Sequence, residues 1–150
     1  MNSTRSSSSN ATARILLVDD NRLGLAARKA LLEEQSYDVT TATEGQEALG
    51  LFTTGHFDVV VTDFRMPRMN GLKLIAEIRA RSPETPIILI SGYADMMGFD
   101  EQNTGADVVI AKSANEVPQL IRSVKRLLHA GVRKPPRSQR PSLRRKAGSG

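Results

Sequence analysis

The chain has 150 residues, 39% of them hydrophobic, with no cysteine and two histidines. Those numbers suit one globular domain with a real core. They exclude disulfides, thiolate metal sites, cysteine nucleophiles and a histidine-rich metal centre. The net charge of +5 divides unevenly: residues 14–132 hold 13 basic and all 16 acidic residues, a net −3, while residues 133–150 hold seven basic residues and no acid.

Residues 1–13 are polar and Ser-rich, without the apolar core of a signal peptide, and are expected to be disordered. From Arg14 apolar runs of strand length alternate with segments of helical spacing. The first strand is Arg14–Val18 and the first helix Arg22–Glu34, with Leu23, Ala27, Ala30 and Leu31 expected to face inward. The second strand, Asp38–Ala42, is Thr-rich and expected near a sheet edge. A short helix at 45–52 buries Ala48 and Phe52, and the third strand is 59–62. Asn70 caps a helix over Gly71–Arg81, with Leu72, Ile75 and Ile78 inward. Pro83 and Pro86 then lead into a fourth strand at 87–90.

Residues 95–103 make a poor helix, weakened by Gly98 and Asn103 and anchored only by Met96, Met97 and Phe99. The fifth strand, Val108–Ala111, is wholly apolar, as a strand covered on both faces should be. Asn115 caps the last helix, 116–129, whose stripe is Val117, Leu120, Ile121, Val124 and Leu128. Residues 131–150 form a basic, Pro-containing tail. Five strands alternating with five helices predict a parallel α/β sheet with helices on both faces. The folded unit is expected at 14–130, and no stretch is apolar and long enough to span a membrane. A cytoplasmic location is the resulting expectation.

The strand ends carry the chemistry. Asp19 and Asp20 follow the first strand, Asp63 the third, Ser91 the fourth and Lys112 the fifth. Parallel strands bring all of these to one edge, where open α/β sheets bind ligands. Carboxylates about 4 Å apart repel by about 4 kcal/mol at an effective dielectric near 20. A hard divalent cation relieves that repulsion, and Mg²⁺ suits few protein oxygens plus water and phosphate. Lys112 and Ser91 add an ammonium and a hydroxyl for phosphoryl oxygens. The set reads as phosphoryl transfer to a carboxylate.

The series Ile15-Leu16-Leu17-Val18-Asp19-Asp20-Asn21, Asp63-Phe64-Arg65-Met66-Pro67-Arg68-Met69-Asn70-Gly71, Ile90-Ser91-Gly92-Tyr93 and Gly105-Ala106-Asp107 through Lys112 resembles the receiver domains of two-component response regulators, with a stand-alone, chemotaxis-regulator-like form. The resemblance covers about residues 14–129 in order. It implies a doubly wound, flavodoxin-like, five-stranded parallel sheet of order 2-1-3-4-5. It implies that Asp63 accepts a phosphoryl group from a histidine kinase or a phosphotransfer protein. Asp20, Asp63 and the backbone carbonyl of Arg65 would bind Mg²⁺, Asp19 acting mainly through metal-bound water. Lys112 would pair with the acceptor or its phosphate, and Ser91 would move to the new phosphoryl oxygen. The implied output is altered docking of a protein partner at the surface of the fourth helix, fifth strand and fifth helix, a surface that is also a candidate for homodimer contact.

Three residues depart from the family pattern. Ser113 follows Lys112 where proline is usual, so the preceding peptide bond is left open between cis and trans. Val109 stands where a switching Tyr or Phe is common. Arg65 lies two residues past the acceptor, where its side chain can overhang a phosphoryl group and change its lifetime. Such a chain is a phospho-acceptor rather than an enzyme, slow self-dephosphorylation aside.

Two other functions compete. A phosphate-independent binding module would keep the fold and lose the switch, as Val109 and Ser113 permit. An aspartate-nucleophile phosphohydrolase would need its nucleophile after the first strand and an acid two residues on, and position 65 is Arg. Only about 20 residues follow the fifth helix, too few for a folded effector, so the expected output is protein contact or a phosphorelay. The tail's seven cations suit weak contact with nucleic acid or an anionic surface, but it has no aromatic for stacking, and a solvated tail is the simpler reading. Met66 reads as core filler, Met69, Met96, Met97 and Phe99 as core or binding rim, and His56 and His129 as surface residues.

Overall fold

In the computed structural model the described residues are 12–131, apart from 93, 94, 96 and 97. The expected N-terminal segment and basic tail therefore fall almost entirely outside them, as do Tyr93, Met96 and Met97. The elements are β1 (Arg14–Val18), α1 (Arg22–Glu34), β2 (Asp38–Ala42), α2 (Gly45–Thr54), β3 (Val59–Asp63), α3 (Gly71–Arg81), β4 (Ile87–Ser91), α4 (Glu101–Thr104), β5 (Val108–Ala111) and α5 (Glu116–Gly131). The strands form one parallel sheet of order β2-β1-β3-β4-β5, as the resemblance implied.

β1, β3 and β4 are central, and their uninterrupted apolar runs fit strands buried on both faces. Alternate side chains divide them between two cores. Leu16, Val18, Val60, Ile87 and Leu89 face α2 and α3, meeting Ala48, Leu49, Leu74, Ile75 and Ile78. Ile15, Leu17, Val59, Val61, Ile88 and Ile90 face α1 and α5, meeting Leu25, Leu32, Leu120, Val124 and Leu127. Thr-rich β2 is an edge strand, as expected. β5 is the other edge; of its four residues only Ile110 is fully buried, so it is less enclosed than its composition suggested.

Two helices differ most from their sequence patterns, while α3 buries Leu74 where Leu72 was expected and α5 buries Leu127 more fully than the expected Leu128. α1 has the expected limits, but its inward residues are Leu25, Arg28 and Leu32, and Leu23 is 85% exposed. Ala27 and Ala30 are also exposed. The helix is rotated because Arg28 turns into the structure to meet two carboxylates. The expected helix at 95–103 is not continuous. Asp95 is helical, residues 98–100 are not, and α4 starts at Glu101, where Asp100 in an extended conformation accepts from the Gln102 and Asn103 N–H groups and the Asn103 side chain accepts from the Asp100 N–H. Asn103 is thus part of a capping box rather than an interruption. Phe99 packs edge-on against Phe64, with ring centres 5.0 Å apart.

A candidate phosphoryl-transfer site

Register places the carboxyl ends of β1, β3, β4 and β5 along one edge: Val18 lies beside Thr62, Asp63 beside Ile90 and Ser91 beside Ala111. The backbone beyond them stays in step, since the Phe64 N–H donates to the Ile90 carbonyl and the Lys112 N–H to the Ser91 carbonyl. Asp19, Asp20 and Asp63 each offer a carboxylate oxygen within 4.8 Å of the others. Asp19 and Asp63 are buried, and Asp20 is exposed at the mouth. Asp20 also lines a groove with Phe64, Arg65, Met66, Pro67 and Asn70.

The loop after β3 is held to the end of that strand by glycine. The Gly71 N–H donates to the Phe64 carbonyl at 2.8 Å. A Cβ at position 71 would overlap the Asp63 carbonyl oxygen and sit 3.0 Å from the Phe64 Cα. Only glycine allows α3 to start this close to the strand end. Asn70 then caps α3, its side chain accepting from the Lys73 N–H at 2.9 Å.

Lys112 Nζ lies 2.9 Å from Asp63 Oδ1 and 3.0 Å from Oδ2. Its direction makes a hydrogen bond to Oδ2 only, which leaves Oδ1 buried and without a hydrogen bond among the described residues. The described residues contain no cis peptide bond, so Lys112–Ser113 is trans and the lysine still reaches Asp63. Ser91 Oγ is likewise buried without a partner. Burial holds the Asp63 carboxyl above the usual carboxylate range; the Lys112 hydrogen bond pulls it back, and the Asp19 charge raises it further. The Asp63 carboxylate beside two further acids, and the buried Ser91 hydroxyl without a hydrogen bond among the described residues, fit a bound divalent cation and an incoming phosphoryl oxygen.

Asp19 already has partners on both oxygens. Its Oδ1 accepts from the Asn21 N–H at 2.9 Å, and its Oδ2 from Arg28 at 2.5 Å. An acid so engaged fits contact with a cation through water better than a place among its direct ligands. Arg65 does not lie free over Asp63: its guanidinium makes two bonds to Asp95, at 2.7 and 2.8 Å, and joins the loop after β3 to the segment that follows β4. Arg28, Glu116 and Asp95 are the site residues that the sequence reading missed. The available signal was Arg28, spaced three residues from Leu25 and four from Leu32 on one helix face.

Among the described residues no helix is long and apolar enough to cross a membrane. A family model for the response regulator receiver domain matches residues 15–125. Regulatory protein AtoC of Escherichia coli (strain K12) is 42% identical over 89 residues, covering 57% of this chain and 19% of that protein. The chain spans less than half the length of the curated relatives it matches. The structure of TrrA from Thermotoga maritima in complex with Mg²⁺-BeF is 35% identical, with a TM-score of 0.71 over 77% of this chain and 99% of that one. The receiver domain of a Pseudomonas aeruginosa PAO1 sensor histidine kinase, solved with a magnesium ion coordinated in its active site cleft, is 27% identical, with a TM-score of 0.70 over 79% of this chain and 99% of that one. Matched over most of its length by that family model and by solved receiver domains, the chain belongs to the response regulator receiver domain family.

Proposed function

We propose that Asp63 is the phospho-acceptor of this receiver. The observation that carries the reading is a buried carboxylate, 3% exposed, with the Lys112 ammonium 2.9 Å from its Oδ1 and two further acids within 4.8 Å. An Asp63 oxygen attacks the phosphorus of a phosphohistidine on a kinase or phosphotransfer protein. A P–O bond forms, the P–N bond breaks, and the departing imidazole nitrogen takes a proton from solvent. Asp20, Asp63 and the Arg65 carbonyl would hold Mg²⁺, with Asp19 contributing through water. The cation supplies charge neutralisation on the phosphoryl oxygens. Lys112 keeps its ammonium over the acceptor, and Ser91 Oγ donates to a phosphoryl oxygen. The signal then passes to a protein partner through docking at the α4–β5–α5 face.

Intact-mass measurement of the protein incubated with a small phosphodonor and Mg²⁺ tests this. One phosphoryl adduct on wild type, absent from Asp63→Asn and abolished by chelator, is the expected result. A chain that takes up no phosphoryl group, or one in which Asp63→Asn labels equally well, contradicts it. The first of those outcomes would favour a phosphate-independent binding module.

A further inference from the structure

We propose that Arg28 is a positioning residue of the metal site, and that Glu116 sets how much of its charge Asp19 receives. The inference rests on the reading that Asp19, Asp20 and Asp63 gather a divalent cation. Arg28 comes from the middle of α1, between Leu25 and Leu32 on the buried face. Its Nη1 is 2.5 Å from Asp19 Oδ2, and its Nε is 2.6 Å from Glu116 Oε2 in the first turn of α5. The three side chains are 9%, 2% and 14% exposed, so water does little to screen them.

A guanidinium can serve two carboxylates at once from fixed directions, which an ammonium on a flexible stem does less well. Burial works against the Arg28 charge, and Glu116 and then Asp19 more than restore it. The cation is thus shared, and the group of three carries one net negative charge. Neutralising Glu116 or drawing it away gives the whole Arg28 charge to Asp19, and a divalent ion at the acids then meets a less negative site. Linkage makes the effect reciprocal: a cation that engages Asp19 releases Arg28 toward Glu116 and tightens the α1–α5 junction. The metal site therefore communicates with the start of α5 without an aromatic switch at position 109, which is Val here.

Isothermal titration of the full, metal-free chain with MgCl₂ tests the proposal, together with melting temperatures in chelator. Glu116→Gln keeps an acceptor for Arg28 Nε and removes only the charge. It is expected to weaken Mg²⁺ binding about three- to tenfold, the effect on a divalent ion of the larger share of the Arg28 charge that Asp19 then receives, under partial screening. Glu34→Gln, at the far end of α1, is expected to leave binding unchanged. Arg28→Met is expected to tighten binding and to make the added Glu116→Gln change ineffective. If Arg28→Met does not fold, Glu116→Gln decides alone. Wild-type affinity in Glu116→Gln, or a loss no larger than that of Glu34→Gln, overturns the proposal. A lowered melting temperature with unchanged affinity also overturns it, by reducing the triad to a structural clamp. A wild-type chain that takes up no Mg²⁺ overturns the underlying metal-site reading instead, which keeps the two failures apart.

Discussion

Asp63→Asn should stabilise the metal-free protein at neutral pH. Asp63 is 3% exposed, and one of its oxygens lies within 4.8 Å of an Asp19 oxygen. At an effective dielectric near 20, that approach alone is a repulsion of about 3.5 kcal/mol. Arg28 offsets part of it by neutralising Asp19. Lys112 offsets another part at 2.9 Å, but its side chain is 41% exposed, which limits such a pair to about 1 kcal/mol. A net penalty of about 1–2 kcal/mol remains, and asparagine removes it while keeping an oxygen for Lys112. For a domain of this size that corresponds to a rise in Tm of about 4–8 °C.

The pH dependence has a definite sign. The folded-state pKa of Asp63 is raised, chiefly by burial, so the folded protein binds its proton more tightly than the unfolded chain does. The penalty is absent below the unfolded pKa, grows as pH rises through the folded one, and is complete above it. The advantage of Asp63→Asn should therefore shrink as pH falls into the carboxylate range. Mg²⁺ should reverse the ranking, because a ligand of the native state stabilises wild type and finds a weaker site in the variant. Thermal melts with chelator and with Mg²⁺, at neutral and mildly acidic pH, measure all of this. A variant less stable than wild type in chelator at neutral pH would refute the electrostatic reasoning.

Other outcomes follow from the geometry. Gly71→Ala forces a methyl group into the Asp63 carbonyl oxygen and should cost about 2–4 kcal/mol, read by chemical denaturation; a cost within experimental error would contradict the close approach. Leu25→Ala should cost about 2–4 kcal/mol, while Leu23→Ala stays within about 0.5 kcal/mol. The reverse order in the same assay would restore the helix face first expected from the sequence. Arg65→Ala frees Asp95 and unties the loop after β3 from the segment that follows β4, and should alter the decay rate of the phosphorylated protein; an unaltered rate removes Arg65 from the site's control.

The strands were legible because each is a short apolar run closed by a polar residue of distinct chemistry. That pattern placed Asp19, Asp63, Ser91 and Lys112 at one edge, and the register bears it out. The limits of α3 and its Asn70 cap were legible for a similar reason, although Leu74 rather than the expected Leu72 joins Ile75 and Ile78 on its buried face. α1 was misread because its Ala-rich sequence supports two apolar faces, and a charged residue normally votes against the face that carries it. Arg28 sits on the buried face because its partners, Asp19 and Glu116, come from β1's end and from α5, and local spacing carries no trace of a partner 88 residues away. The α4 region failed differently. Its start is decided by Asp100 and Asn103 bonding to each other's backbone, a local competition that hydrophobic spacing does not register.

The central claim is that one carboxyl oxygen, at Asp63, becomes bonded to phosphorus. Reducing the freshly phosphorylated protein with borohydride, which converts an aspartyl phosphate to homoserine, and mapping the peptides by mass spectrometry tests it at a single residue. Homoserine at position 63, formed only when Mg²⁺ was present during labelling, is the predicted result. Conversion at Asp19 or Asp20 with Asp63 intact would contradict it.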